Sequence, residues 1–343
     1  MISHENIHDL KSGVARSADI FITDVFKDEK KKVVTTNCFN NQQGSLATWF
    51  NNDSIIYNDM LDDEPKTIIR NINGELIDSI DGHFFSLSRN CKYISMICFK
   101  TFGMGLEGYG YKFNSTIDEQ RLDKTLRLYD IDNRKVVLEI PIDFHNSREA
   151  LKPFGLLDRG FEYFSHTNFS PDSNKMYFLL RSSNKLRNTS QLYVLSLLDW
   201  SITKVGTGGM VSHLDWLGND CVLAFANTVT SEKYKYQLFN LISGKTASID
   251  SKFLLKDGHP TVLNDRNFYT DTYPDKSRNQ ALYKVSSDVK GFDEVELIAK
   301  ILSPMRFTGV DRVDLHPRVS HCGKYLSFDS SHLGRASQVV LYK

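Results

Sequence analysis

Five histidines recur at spacings that a repeated fold could bring together: His83, His166, His213, His259 and His316. The last four are 47, 46 and 57 residues apart. Around one rim, five imidazoles could hold a metal or move protons. The last three carry the richest polar company. Asp257-Gly258-His259-Pro260 is echoed by Asp314-Leu315-His316-Pro317. Asp271 and Tyr273 follow the strand after His259. Arg312 and Arg318 flank His316, and Asp329, His332 and Arg335 follow the next strand. Polar groups crowded at strand ends are costly unless they face a wet cleft. The arginines suit bidentate contacts to a carboxylate. Asp271 or Asp329 could orient a histidine or ligate a cation. A packing role competes with each of these. It is the simpler reading for His83 and His166, and inter-blade salt bridges would account for the Arg and Asp residues.

The elements that must position these residues are strands. The two copies in residues 256–342 share a plan of His-Pro, short strand, polar loop and second strand. A period of 40–60 residues built of short strands is the mark of propeller blades. Asn73-Gly74 and Ser243-Gly244 read as hairpin turns, which predict antiparallel neighbours and argue against a parallel β-helix. Six blades are visible, and strands at 19–25 and 32–36 suggest a seventh. The expectation is an all-β, seven-bladed β-propeller of four-stranded blades, with six blades the alternative. Strands from both chain ends would close the ring in one blade, since closure removes exposed edges. Residues 1–16 read as a loose polar arm and 17–343 as one domain. An insertion at 100–124 carries Tyr109 and Tyr111 among glycines, and reads as a lid over a binding face or as packing.

Composition narrows the function. Lys plus Arg and Asp plus Glu each number 42, so the net charge is zero and nothing draws the chain in bulk to nucleic acid or anionic membrane. The basic stretch 181–187 is too small to change that. Five scattered cysteines suggest free thiols rather than a disulfide framework. Cys98 and Cys322 lie in or beside strand patterns and read as packing. No apolar run is long enough to span a membrane and no signal peptide is visible, so a cytoplasmic location is expected, or a periplasmic one if a leader was removed. No nucleophile elbow, P-loop or dinucleotide fingerprint occurs.

Several motifs carry a resemblance. They include Ser212-His-Leu-Asp-Trp216, Asp257-Gly-His-Pro260, Asp271-Thr-Tyr-Pro274, Val313-Asp-Leu-His-Pro-Arg318 and Asp329-Ser-Ser-His332. Gln42-Gln-Gly-Ser45, Trp49, Ile56-Tyr-Asn-Asp59 and Gly108-Tyr-Gly-Tyr111 belong with them. From about residue 17 onward the chain resembles a bacterial propeller group similar to oligogalacturonate lyases and TolB-like propellers. The lyases are seven-bladed and use a histidine base, an arginine and a divalent metal, often manganese, held by three histidines and a glutamine. The resemblance implies His213 as base and His259 and His316 as metal ligands. The third ligand histidine falls at Arg318 and the glutamine at Val313, so the set departs from the pattern.

The function expected is therefore a lyase that cleaves a uronic-acid-containing glycan by β-elimination. The alternative is a non-catalytic glycan-binding or scaffold propeller. His213 is the expected base, Arg318 and Arg312 the carboxylate binders, and Tyr273 or Tyr109 the proton donor. Tyr109, Tyr111, His166, His332 and Arg335 are expected to line the acidic oligosaccharide. A manganese or zinc ion would sit on His259 and His316, with Asp271 or Asp314 adding oxygen. No nucleic-acid or membrane partner is expected.

Overall fold

Alternation of apolar and polar residues over short runs, broken by Asn, Asp and Gly, produces strands throughout. The computed structural model describes residues 1–6, 17–111, 122–144, 160–184, 188–288 and 291–342. Seven antiparallel sheets follow one another along the chain. Blade 1 holds strands Ile2–Asn6, Ala18–Asp24 and Glu29–Thr36. Blade 2 holds Thr48–Trp49, Ser54–Leu61, Glu64–Asn71 and Leu76–Asp81. Blade 3 holds Phe84–Leu87, Tyr93–Met96, Thr125–Asp130 and Lys135–Pro141. Blade 4 holds Phe161–Phe169, Lys175–Ser183, Asn188–Ser196 and Ile202–Lys204. Blade 5 holds Thr207–Trp216, Cys221–Thr228, Ser231–Asn240 and Thr246–Ser248. Blade 6 holds Thr261–Asn264, Asn267–Asp271, Asn279–Asp288 and Gly291–Leu302. Blade 7 holds Arg318–Val319, Tyr325–Ser330 and Ser337–Tyr342. The protein is an all-β, seven-bladed propeller of mostly four-stranded antiparallel blades.

Two compact units divide the chain: residues 1–169 with 176–188, and residues 170–175 with 189–343. In each, the core lies between successive blades. Ile55 and Tyr57 pack with Ile20 of blade 1, while Ile56, their neighbour on the other face, packs with Phe84 and Ile94 of blade 3. Strands buried on both faces read as continuous apolar runs, and Ser54 to Asn58 has no exposed position. In the second unit, Phe268 and Val285 face blade 5, and Tyr269 and Leu282 face blade 7.

Three features differ from the expectations. Among the described residues, the strands nearest the two chain ends belong to separate sheets. The segment Ile2–Asn6, read as part of a loose arm, pairs with Ala18–Asp24 and gives blade 1 a third strand of its own, and blade 7 is likewise built from C-terminal strands alone. Its polar composition hid the strand; residues 7–16 lie outside the described residues. The insertion opens with a short helix, Phe99–Gly105, which buries Phe99 and Phe102. Tyr111 stacks on Phe99 with centroids 4.3 Å apart and accepts a hydrogen bond from Asn58 at 3.2 Å. Tyr109 and Tyr111 are both buried, so they pack rather than cover a binding face. Residues 112–121, the expected linker over 145–159 and positions 185–187 of the basic loop lie outside the described residues.

His83 is the buried polar centre of the first unit. It is 3% exposed, donates Nε2–H to the Asp59 carbonyl at 3.0 Å, and lies edge-on to Phe99 and Tyr111. Burial pushes its pKa down to about 4 from 6.5, although the Asp59 carbonyl favours the protonated ring. The folded state therefore binds a proton less readily than the unfolded chain. Stability contributed by the neutral ring is complete above about pH 6.5 and is lost as pH falls toward 4. Urea titrations of wild type and His83→Gln from pH 7 to 4 should show a shallower acid loss in the variant. Parallel curves would assign the acid sensitivity elsewhere.

Candidate functional site

The second unit brings three predicted histidines into one row. His213 lies within the first strand of blade 5, where the pairing register shifts between Val211 and Leu214. His259 and His316 do not lie in strands, as expected from the repeat, but just before them. Pro260 and Pro317 explain this: proline lacks the N–H a ladder needs, so pairing begins immediately after each. The rings of His213 and His259 have centroids 4.1 Å apart, and those of His259 and His316 also 4.1 Å.

Each histidine meets a carboxylate. His213 Nδ1 donates to Asp257 Oδ1 at 3.2 Å, and the Ser212 hydroxyl donates to Asp257 Oδ2 at 2.5 Å. Burial alone would raise the Asp257 pKa, but these hydrogen bonds outweigh it and hold the group below the usual carboxylate range. With Nδ1 carrying the proton, the His213 lone pair is on Nε2, the form a general base needs. His259 Nδ1 donates to Asp271 at 2.9 and 3.0 Å, and its backbone N–H donates to Asp271 Oδ1 at 2.6 Å. The His316 backbone N–H donates to Asp271 Oδ2 at 3.0 Å. Burial pushes the Asp271 pKa up. Both its oxygens nevertheless accept from N–H groups, an arrangement that suits the ionised form. His316 adopts φ 41°, in the left-handed region, and this conformation aims its N–H at Asp271.

Two buried atoms are left over. Among the described residues, His259 Nε2 and Asp314 Oδ1 have no hydrogen-bond partner. Single donor atoms of His259, Asp314 and His316 lie within 4.8 Å of one another. Orphaned buried polar atoms cost free energy unless something occupies the space between them. Burial, followed by the neighbouring positive groups, holds both histidines well below their ordinary pKa, so both present neutral lone pairs. Two neutral imidazoles and a carboxylate oxygen fit a divalent cation.

The remaining predicted residues divide. Asp271, predicted as a ligand, faces Nδ1 of His259 and two backbone N–H groups, and Asp314 supplies the oxygen among the clustered atoms. Arg312 Nε donates to Asp314 Oδ2 at 2.6 Å, and its guanidinium lies 5.6 Å from the Tyr273 ring. Tyr273 is 5.6 Å from His259 and 6.5 Å from His213, centroid to centroid. Arg318 forks onto Asp329 at 3.0 and 2.6 Å, and Asp329 lies 3.8 Å from His316 Nδ1. His332 and Arg335 lie on an exposed turn. Among the described residues neither makes a hydrogen bond or ring contact with the histidine row. His166, in the first unit, has φ 50°, bonds Ser165 Oγ at 3.0 Å and packs near Phe85. Tyr109 is buried there.

Sequence reading missed Asp257 as the partner of His213. The signal was present: an Asp stands two residues before both His259 and His316. One such Asp reaches the histidine of the preceding blade, and the other lies beside it.

No family model and no curated protein matches the sequence. Solved structures do match. An oligogalacturonate lyase in complex with manganese is 12% identical, with TM-score 0.64, covering 95% of this chain and 82% of that one. An oligogalacturonate lyase from Vibrio parahaemolyticus is 10% identical, with TM-score 0.61, covering 94% and 82%. TolB from Acinetobacter baumannii is 14% identical with TM-score 0.44; the match covers 82% of this chain and 59% of TolB. The likeness to the two oligogalacturonate lyases is one of fold.

Gly258 makes the site possible. A Cβ there would lie 1.9 Å from the Asp271 carbonyl oxygen, so only glycine lets the Asp-Gly-His segment pass Asp271. Gly258→Ala should destabilise the protein by about 3 kcal/mol or more. At Gly206 a Cβ would meet nothing within 4 Å, and Gly206→Ala should stay within about 0.5 kcal/mol of wild type. Chemical denaturation of both variants is the check; equal stabilities would contradict the close approach.

Proposed function

We propose that this protein is a lyase that cleaves an acidic, uronic-acid-containing glycan by β-elimination. The carrying observation is one row of imidazoles with two distinct roles. At one end stands His213, oriented by Asp257. At the other, His259 and His316 stand beside Asp314 as a donor set for a divalent cation. The fold likeness to the two oligogalacturonate lyases, one of them in complex with manganese, supports the reading.

Elimination removes the C5 proton of the uronide and breaks the C4–O bond. The C5–H electron pair becomes the C4–C5 double bond, and the C4–O pair leaves with the oxygen. His213 Nε2 accepts the C5 proton, and Asp257 stabilises the imidazolium that forms. Arg318 and Arg312 contribute positive charge where the sugar carboxylate binds. Tyr273 protonates the leaving oxygen, a role supported by its nearness to His213 and His259. A divalent cation on His259, Asp314 and His316 would withdraw charge from the carboxylate and acidify the C5 proton. Manganese and zinc both suit mixed nitrogen and oxygen donors.

A second reading is a glycan-binding propeller without catalysis. It is favoured by the pairing of Arg318 with Asp329 and of Arg312 with Asp314, which reduces the positive charge left for a substrate carboxylate.

Acidic glycans, including oligogalacturonides and glucuronate-containing fragments, should yield a product with the ultraviolet absorbance of a conjugated, unsaturated uronide. His213→Ala and Asp257→Asn should each lower the rate, the former by about 10²-fold or more. Chelation should lower it as well, and added manganese should restore it. A glycan that binds wild type but yields no unsaturated product, even with manganese, would replace the enzyme by the binding module. Undiminished product from His213→Ala would keep the lyase and reassign the base.

A further inference from the structure

Asp314 is held in an unusual way. Its side chain is 1% exposed, and its two oxygens have different fates. Oδ2 accepts from Arg312 Nε at 2.6 Å, while Oδ1 is buried with no hydrogen-bond partner among the described residues. Oδ1 shares this condition with His259 Nε2, and the donor atoms of both residues lie within 4.8 Å of each other and of His316. A carboxylate left to itself can turn both oxygens toward a cation. One whose second oxygen is pinned offers a single, fixed donor.

We infer that Arg312 is a positioning residue for a divalent cation: by holding Oδ2 of Asp314 it presents Oδ1 as the one oxygen donor beside His259 and His316. The inference rests on the cation site in the proposed function, and it adds to the charge Arg312 contributes there a second role as partner of a ligand. The guanidinium is held in turn. Its side chain is 31% exposed, and it lies 5.6 Å from the Tyr273 ring, so the ring limits where the fork can swing. The histidine side of the cluster has its own counterpart in Asp271, which fixes the His259 ring through Nδ1. His259 and Asp314 therefore each have an outer partner of opposite hydrogen-bonding character: an acceptor behind the imidazole and a donor behind the carboxylate. Two nitrogens and one oxygen from the protein leave coordination positions open for ligands from solution, such as the oxygens of an acidic sugar.

The test is metal affinity, measured without substrate. Wild type, Arg312→Ala, Arg312→Lys and Asp314→Ala would be stripped with chelator and titrated with manganese chloride and, separately, zinc chloride by calorimetry. The melting temperature of each metal-free protein would be recorded alongside. Wild type should bind one equivalent of at least one ion. Arg312→Ala should bind it about 10- to 100-fold more weakly, the usual effect of removing an outer-shell partner. Arg312→Lys, which retains a cationic donor, should recover part of the loss. Asp314→Ala should lose at least as much as Arg312→Ala. The metal-free melting temperature of Arg312→Ala should fall, because Asp314 Oδ2 loses its donor in a buried site, while that of Arg312→Lys should stay nearer wild type. Unchanged affinity in Arg312→Ala would overturn the inference. So would a loss that tracks lowered metal-free stability in both Arg312 variants, since that marks a merely structural role. Wild type that binds neither ion would overturn it too, while leaving the glycan product assay to judge the lyase on its own.

Discussion

The second unit's site depends on one buried carboxylate. Asp271, 1% exposed at the end of a blade 6 strand, accepts the backbone N–H and Nδ1–H of His259 and the backbone N–H of His316. Its donors come from the entries to two successive blades, so it sets both the position of the histidines and the orientation of one ring. Leaving even one of these groups unpaired would cost about 1–3 kcal/mol. The neighbouring backbone has adapted to it. Glycine is required at 258 because the chain passes against the Asp271 carbonyl, and His316 adopts a left-handed conformation that aims its N–H at the carboxylate. Backbone strain of this kind persists where surrounding structure over-determines it.

Blade packing supplies that over-determination. Tyr269 and Leu282 of blade 6 press on Leu315, Leu326 and Phe328. Leu315 lies between Asp314 and His316, so the residue separating two site groups is itself a core anchor, fully buried. In the earlier copy the same position is Gly258. The two Asp-x-His-Pro segments therefore share polar chemistry and differ in how their middle residue meets the fold, one by packing and one by close approach.

The charge pattern also bears on chemistry. Two of the candidate cations are matched to neighbouring anions: Arg312 to Asp314 and Arg318 to Asp329. At the positions where the lyase resemblance implies a third histidine and a glutamine, this chain has Arg318 and Val313. Asp314 brings a carboxylate to the cluster instead, and Arg312 balances its charge. The first unit uses polar burial differently. His83, with Cys38, Asp59, Asn58 and Tyr111 nearby, forms an enclosed set in which burial drives the imidazole neutral and pushes the Cys38 thiol up. That combination favours packing over reaction.

Much of this was legible from the chain alone. Short alternating runs, Gly turns and a 46- to 57-residue histidine spacing imply blades, because strand and turn chemistry is local. The two His-Pro pairs even mark where pairing must begin. The polar strand Ile2–Asn6 was the exception, since it lacks the apolar alternation that reveals a half-buried strand. Tyr109 and Tyr111, too, could have been exposed or buried on sequence grounds; Tyr111 stacking on Phe99 and Tyr109 tilting against Phe102 decided it. What only tertiary structure decided was the matching of carboxylates to imidazoles. Asp257 meets a histidine 44 residues earlier, and Asp271 meets a backbone N–H 45 residues later. Such pairings depend on the angle and offset at which one blade packs on the next. Those are fixed by the shapes of side chains between the blades, and no spacing along the chain encodes them.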